Sequence, residues 1–75
     1  MSNQEEITQY NILQSIESGE HISQRQLSLQ LGINVASINF ALKKLTKSGL
    51  VKMLGVNPRR IRYILTPKGI AERTQ

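Results

Sequence analysis

The sequence predicts a mainly α-helical domain with a small β-hairpin, in the order α-(β)-α-α-β-β-α. Three observations predict it. Apolar residues recur at helical spacing as far as residue 47, the period changes to two between residues 51 and 65, and cap or turn residues punctuate each change. The 75 residues make one domain, 1–75, with room for a single small core. There is no cysteine, so neither a disulfide nor a thiolate metal site holds it together.

The first helix is predicted over 3–18. Ser2 and Glu5 have capping-box spacing, and Glu5 and Glu6 lie where the helix dipole favours negative charge. Ile7, Tyr10, Leu13 and Ile16 recur every three residues as its apolar face, and Ser18-Gly19 ends it. Ile22 stands alone and reads as a one-residue strand. Ser23 and Gln26 form a second capping box that opens a helix over 24–31, with Leu27 and Leu31 as core contacts. Gly32 follows as a left-handed turn residue. Asn34 caps a third helix, 35–47, with Ile38, Leu42 and Leu45 facing inward, and Ser48-Gly49 ends it. Val51 and Met53 then alternate with Lys52 and Leu54, while Ile61, Tyr63 and Leu65 alternate with Arg60, Arg62 and Ile64. Between them lies the turn-rich Gly55-Val56-Asn57-Pro58-Arg59. Thr66 caps a last short helix, with Pro67 at its first position.

Charge narrows the function. Ten Lys and Arg stand against five acids, a formal +5, and the acids (Glu5, Glu6, Glu17, Glu20, Glu72) lie near the two ends. Between His21 and Ala71 there are nine basic residues and no acidic one. Such a stretch repels itself unless a polyanion is its partner; a solvated, solubilising surface is the plain alternative. No run approaches the ~18 apolar residues of a membrane span. Residues 1–10 are polar and acidic rather than signal-like, so a soluble, cytoplasmic protein is expected.

Residues 24–45 resemble a helix-turn-helix: a small residue (Ser28, often Ala in the motif) lets the helices approach, Gly32 makes the turn, and Ile33, Ile38 and Leu42 fill the apolar slots. The continuation Lys47-Ser48-Gly49-Leu50-Val51, the basic hairpin, and Tyr63-Ile64-Leu65-Thr66-Pro67-Lys68-Gly69 resemble the winged form found in MarR-type regulators. They are most similar to the group known as EPS-associated MarR-family regulators. The resemblance runs from the first helix to Gly69. It implies a winged helix-turn-helix fold (helix-turn-helix about 23–48, wing about 50–66) and a bacterial-type transcriptional regulator that binds double-stranded DNA. MarR-type proteins usually carry further long helices that form a dimer and an effector pocket. This sequence has too little length for them, as either a minimal member or a DNA-binding domain cut from a longer protein, so no small-molecule effector is carried over and no cofactor is expected.

A helix-turn-helix sets the start of its second helix in the major groove. Here that helix should turn Val35, Ala36, Ser37, Asn39, Phe40 and Lys43 outward. Asn39 is the best candidate for a bidentate bond to adenine, and Ser37 and Asn34 suit a phosphate or a base edge. Phe40 stands where many family members have a polar or basic side chain, and three readings are open: contact with thymine methyl groups, a dimer contact, or a place in the core. With Val35 and Ala36 beside it, the outward side is poor in hydrogen-bonding groups, which favours A·T-rich or shape-based preference. Phosphate contacts are assigned to Arg25, Lys43, Lys44, Lys47 and Lys52, and to Arg59, Arg60 and Arg62 of the wing, which is expected on the minor groove or backbone. Lys44 and Lys47 equally fit a solvated face. A hairpin closing symmetrically about 55–59 would set Lys52 opposite Arg62, a like-charge pair that a phosphate would relieve.

An enzyme is not expected. His21 is the only histidine and reads as a surface or strand-adjacent residue, Asp and Cys are absent, and no metal-ligand spacing or phosphate-cradling Gly loop occurs. The main rival is a winged-helix module for protein–protein contact in a larger assembly. RNA is a lesser rival, since its A-form major groove excludes a helix. A membrane surface would call for a Trp/Phe-rich amphipathic face. Operator affinity for so small a module favours a homodimer on half-sites about one helical turn apart. The first helix (5–17), to which the off-face Ile12 points, or the C-terminal segment would supply that contact.

Overall fold

The computed structural model describes residues 3–55 and 57–73. Four helices, α1 (Gln4–Ser15), α2 (Gln24–Leu31), α3 (Val35–Lys47) and α4 (Pro67–Arg73), enclose one core, and strands β1 (Val51–Leu54) and β2 (Arg62–Leu65) pair antiparallel beside it. A 3-10 turn, Pro58–Arg60, lies between the strands.

The two central helices begin and end where local chemistry puts them. The Ser23 side chain accepts the Gln26 N–H and the Gln26 side chain accepts the Ser23 N–H, which satisfies two donors that α2 would otherwise leave open. Gly32, at φ +67, ends α2, and both its N–H and that of Ile33 reach the Ser28 carbonyl. The Ser28 hydroxyl donates to the Ile33 carbonyl at 2.5 Å, so this serine does more than leave room: it ties the turn. Asn34 caps α3 by accepting the Ser37 N–H at 2.8 Å. Ile38, Ala41, Leu42 and Leu45 form the buried side of α3, against Ile12, Ile16, Leu27, Val51, Tyr63 and Leu65.

Three expectations are corrected. Ser2 lies outside the described residues, and the cap of α1 is Asn3, whose side chain accepts the Glu6 N–H; the helix ends at Ser15, not Ser18. Ile16 leaves helical geometry to enter the core, and residues 17–20 form a separate turn in which the Glu20 N–H donates to the Glu17 carbonyl. Secondly, the buried face of α1 is Thr8, Ile12 and Ile16, at four-residue spacing, while Ile7 and Tyr10 are 41% and 61% exposed. Thr8 goes inside because its hydroxyl bonds the Gln4 carbonyl within the helix, leaving only its methyl to pack. Ile12 is therefore core, and the dimer contact expected of it is withdrawn.

The third correction concerns the wing. Its register pairs Lys52 with Ile64 and Leu54 with Arg62, so Lys52 and Arg62 do not face each other. The cause is the 3-10 turn: Asn57 caps it by accepting the Arg59 N–H, and it draws residues 58–60 out of the ladder, moving the hairpin's centre by one residue. The like-charge reason for an anionic partner falls with that pair. Ile22 does form the expected single bridge, to Tyr63, through two backbone hydrogen bonds of 3.0 and 2.7 Å.

At the base of the wing, the Thr66 hydroxyl donates to the Gly49 carbonyl (2.6 Å) and accepts the Gly69 N–H (3.0 Å), while the Thr66 N–H donates to the Leu50 carbonyl. The Lys68 ammonium donates to the Ser48 carbonyl at the end of α3. Gly69 packs so closely that a Cβ there would lie 2.0 Å from the Leu50 oxygen, whereas a Cβ at Gly32 would meet nothing within 4 Å. Gly69→Ala should therefore cost about 2–3 kcal/mol by steric displacement, and Gly32→Ala about 1 kcal/mol by its left-handed backbone alone. Chemical denaturation of the two variants measures the difference.

Candidate nucleic-acid interface

The helical repeat places Ala36, Phe40, Lys43 and Lys47 on one stripe of α3, opposite Ile38, Leu42 and Leu45. All four are exposed. Phe40 is 52% exposed, so its place in the core is ruled out. Val35 is 48% exposed at the helix start, with Ser37 exposed beside it. Asn34 is exposed too, but its side-chain oxygen is committed to the cap, which leaves its amide N–H2 for any further bond.

On either flank of this stripe α3 borders a cleft. Toward the wing, a hollow of about 330 Å³ lies between Asn39, Lys43 and Thr46 of α3, Gln24 of α2, and Met53 and Tyr63 of the wing. Asn39 is half-buried there, off the stripe rather than on it. The Gln24 amide donates to the Tyr63 hydroxyl at 2.9 Å, a contact that joins the first turn of α2 to β2. Toward α1, a groove of about 420 Å³ lies between Phe40, Ala36 and Ser37 on one side and Glu5 and Thr8 on the other. The Lys44 ammonium bonds the Glu5 carboxylate and sits over the Phe40 ring, 4.9 Å from its centroid.

The basic residues divide accordingly. Arg25 from the start of α2, and Arg59 and Arg62 from the wing, line one hollow of about 270 Å³ beside Val35 and Ser23. Residues more than thirty positions apart thus meet at the N-terminal end of α3. Arg62 is half-buried and folds one guanidinium N–H back onto the Ile61 carbonyl, while Arg59 and Arg60 are exposed at the wing tip. Lys43 and Lys47 are exposed on the stripe itself. Lys44 and Lys52 are not gathered with them: Lys44 is drawn to Glu5, and Lys52 projects from β1 opposite Ile64.

Sequence reasoning missed Gln24, Thr46, Met53 and the role of Glu5. Gln24, Met53 and Glu5 reach the clefts beside α3 from other elements, and Thr46 from a turn of α3 beyond the expected outward set, so local spacing carried no signal for them.

A family model described as winged helix-turn-helix DNA-binding matches residues 5–52. Among solved structures, a MarR family transcription regulator superposes with a TM-score of 0.82 at 27% identity, over 91% of this chain and 46% of that one. The reduced form of MarR from E. coli gives 0.79 at 28% identity, covering 89% of this chain and 51% of that one. A variant of ZitR from Lactococcus lactis gives 0.79 at 26% identity, covering 89% and 47% respectively. The chain spans about half the length of the solved structures it matches. No curated protein sequence matches it.

Tyr63→Phe removes the acceptor for Gln24 while keeping the buried ring. It should lower stability by about 1 kcal/mol, read as a shifted urea midpoint with an unchanged slope.

Proposed function

The chain belongs to the winged helix-turn-helix DNA-binding family and has the fold of MarR family regulators, and from this we propose that it is a transcriptional regulator binding double-stranded DNA. In this reading α3 enters the major groove and the basic wing, 55–62, lies on the minor groove or backbone. The observation that carries the reading is the meeting of Arg25, Arg59 and Arg62 in one hollow at the start of α3. Three arginines lining one hollow suit a phosphate, which Arg binds bidentately. A solvated, solubilising surface would have no reason to gather charges from two elements at that one end.

Affinity then comes from Arg25, Lys43, Lys47, Arg59, Arg60 and Arg62, and base contact from the exposed side of α3, Val35, Ala36, Ser37 and Phe40, with Asn34 and Asn39 at its edges. A homodimer on two half-sites supplies operator affinity, with the exposed Ile7 and Tyr10 of α1 as the surface offered to a second copy. Among the described residues, no helix is long and apolar enough to cross a membrane. The likeness of residues 47–51 and 63–69 to the EPS-associated group supports placing the chain there within the MarR-type regulators. A protein-contact module would not call for the arginine cluster.

Six cations on phosphates should make log K fall against log salt with a slope of about −5, measured by fluorescence anisotropy on duplex DNA; a slope shallower than about −2 would overturn the assignment of this surface. Arg59→Ala with Arg60→Ala should weaken binding to every sequence alike. Asn39→Ala should instead relax sequence preference, read by selection from random duplexes, and unchanged preference would remove Asn39 from the reading face.

A further inference from the structure

We propose that Phe40 is a specificity-determining residue of α3 and that it reads the C5-methyl group of thymine. This rests on α3 lying in the major groove, as proposed above. Phe40 stands on the outward stripe with Ala36 on the turn before it, and the groove beside it is lined by Ala36, Ser37 and Ala41 of α3, with Thr8, Gln4 and the lysine-paired Glu5 on its α1 side. Neither Ala36 nor Phe40 offers a side-chain hydrogen bond. In the major groove the thymine methyl is the one apolar group that a base pair presents. A pair presenting donors and acceptors to this ring would lose its water without replacement, so the ring discriminates by exclusion as well as by attraction.

The ring is also held before any ligand arrives. Lys44, bonded to Glu5, lies over it at 4.9 Å from the centroid, which limits the side-chain entropy that binding has to remove. Charge decides what covers it. Lys43 and Lys47 share the stripe, and the arginine hollow lies at the same end of α3 as Ala36, so whatever seats on Phe40 must also answer a row of cations. A nucleic-acid duplex does both, with methyl groups in its groove and phosphates at its rims.

Deoxyuridine keeps the hydrogen-bonding edge of thymine and lacks only the methyl, which makes it the probe. Duplexes recovered by selection from random sequence, and the same duplexes with deoxyuridine for thymine, are titrated by anisotropy. The wild type should lose about fourfold in affinity per contacted methyl, Phe40→Ala should bind the two duplexes alike, and Phe40→Leu should keep part of the difference. All three should retain the steep salt dependence, and circular dichroism verifies that the variants, altered at an exposed position, are folded. Equal wild-type binding to both duplexes, with a salt slope still near −5, would overturn the methyl reading and leave the regulator standing. A Phe40→Ala variant that keeps the wild-type ratio would overturn the assignment to Phe40. Folded wild-type protein that binds no duplex would overturn both proposals.

Discussion

The carbonyl oxygen of Leu50 is the point about which the domain is set. It accepts the Thr66 N–H and lies against Gly69 at a distance no side chain permits. Around it, Thr66 bridges Gly49 to Gly69, and Lys68 reaches the Ser48 carbonyl. These contacts join the end of α3, the base of both strands and the start of α4 in one place. The wing consequently leaves α3 at a fixed angle, and the cleft between them keeps its width. Without this junction Arg59 and Arg62 would be tied to Arg25 only through Tyr63, by its bridge to Ile22 and its bond from Gln24. The geometry of the arginine hollow therefore rests on a backbone contact at the far end of the strands, with the bridge between Ile22 and Tyr63 as a second brace nearer to it.

A division of labour on α3 follows from this placement. Its wing flank carries polar and basic groups, Asn39, Lys43 and the neighbouring Gln24. Its α1 flank carries Phe40 and Ala36, and there the Lys44 ammonium is answered by Glu5. An exposed pair of this kind adds little stability. Its larger effect is positional, since a lysine turned back onto an aromatic ring is a lysine kept from reaching outward.

How far the sequence disclosed this depends on the range of each interaction. α2 and α3 were legible to the residue because Ser23, Gly32 and Asn34 act within three or four positions of themselves, and their hydrogen bonds are written in local spacing. The inner face of α1 was not, because a threonine that bonds its own helix counts as polar in any pattern yet packs as an apolar residue. The wing register was hidden by the turn at Pro58–Arg60, whose three residues look like loop and act as a spacer. The basic residues were visible as a list. Their partition into a gathered set and two outliers was not, since it depends on which helix Glu5 stands beside and on where Ile64 falls in the ladder.

Folding also changes what the charge pattern means. Along the chain, residues 21–71 form an unbroken acid-free stretch, and the field would seem uniform around α3. In space, α1 brings Glu5 against the middle of that helix, on the side away from the wing. The acid lowers the positive potential on that flank of α3, while Arg25, Arg59 and Arg62 line a hollow beside the helix start on the other. A polyanion approaching such a surface is drawn to the wing side first, since the field there is stronger and reaches a Debye length of about 8 Å into solvent. In the proposed binding mode this would set phosphates along the wing flank and turn the stripe of Ala36, Phe40, Lys43 and Lys47 toward the groove. Glu5, near the chain's start and read at first only as a partner for its own helix dipole, thus shapes the field on one flank of α3.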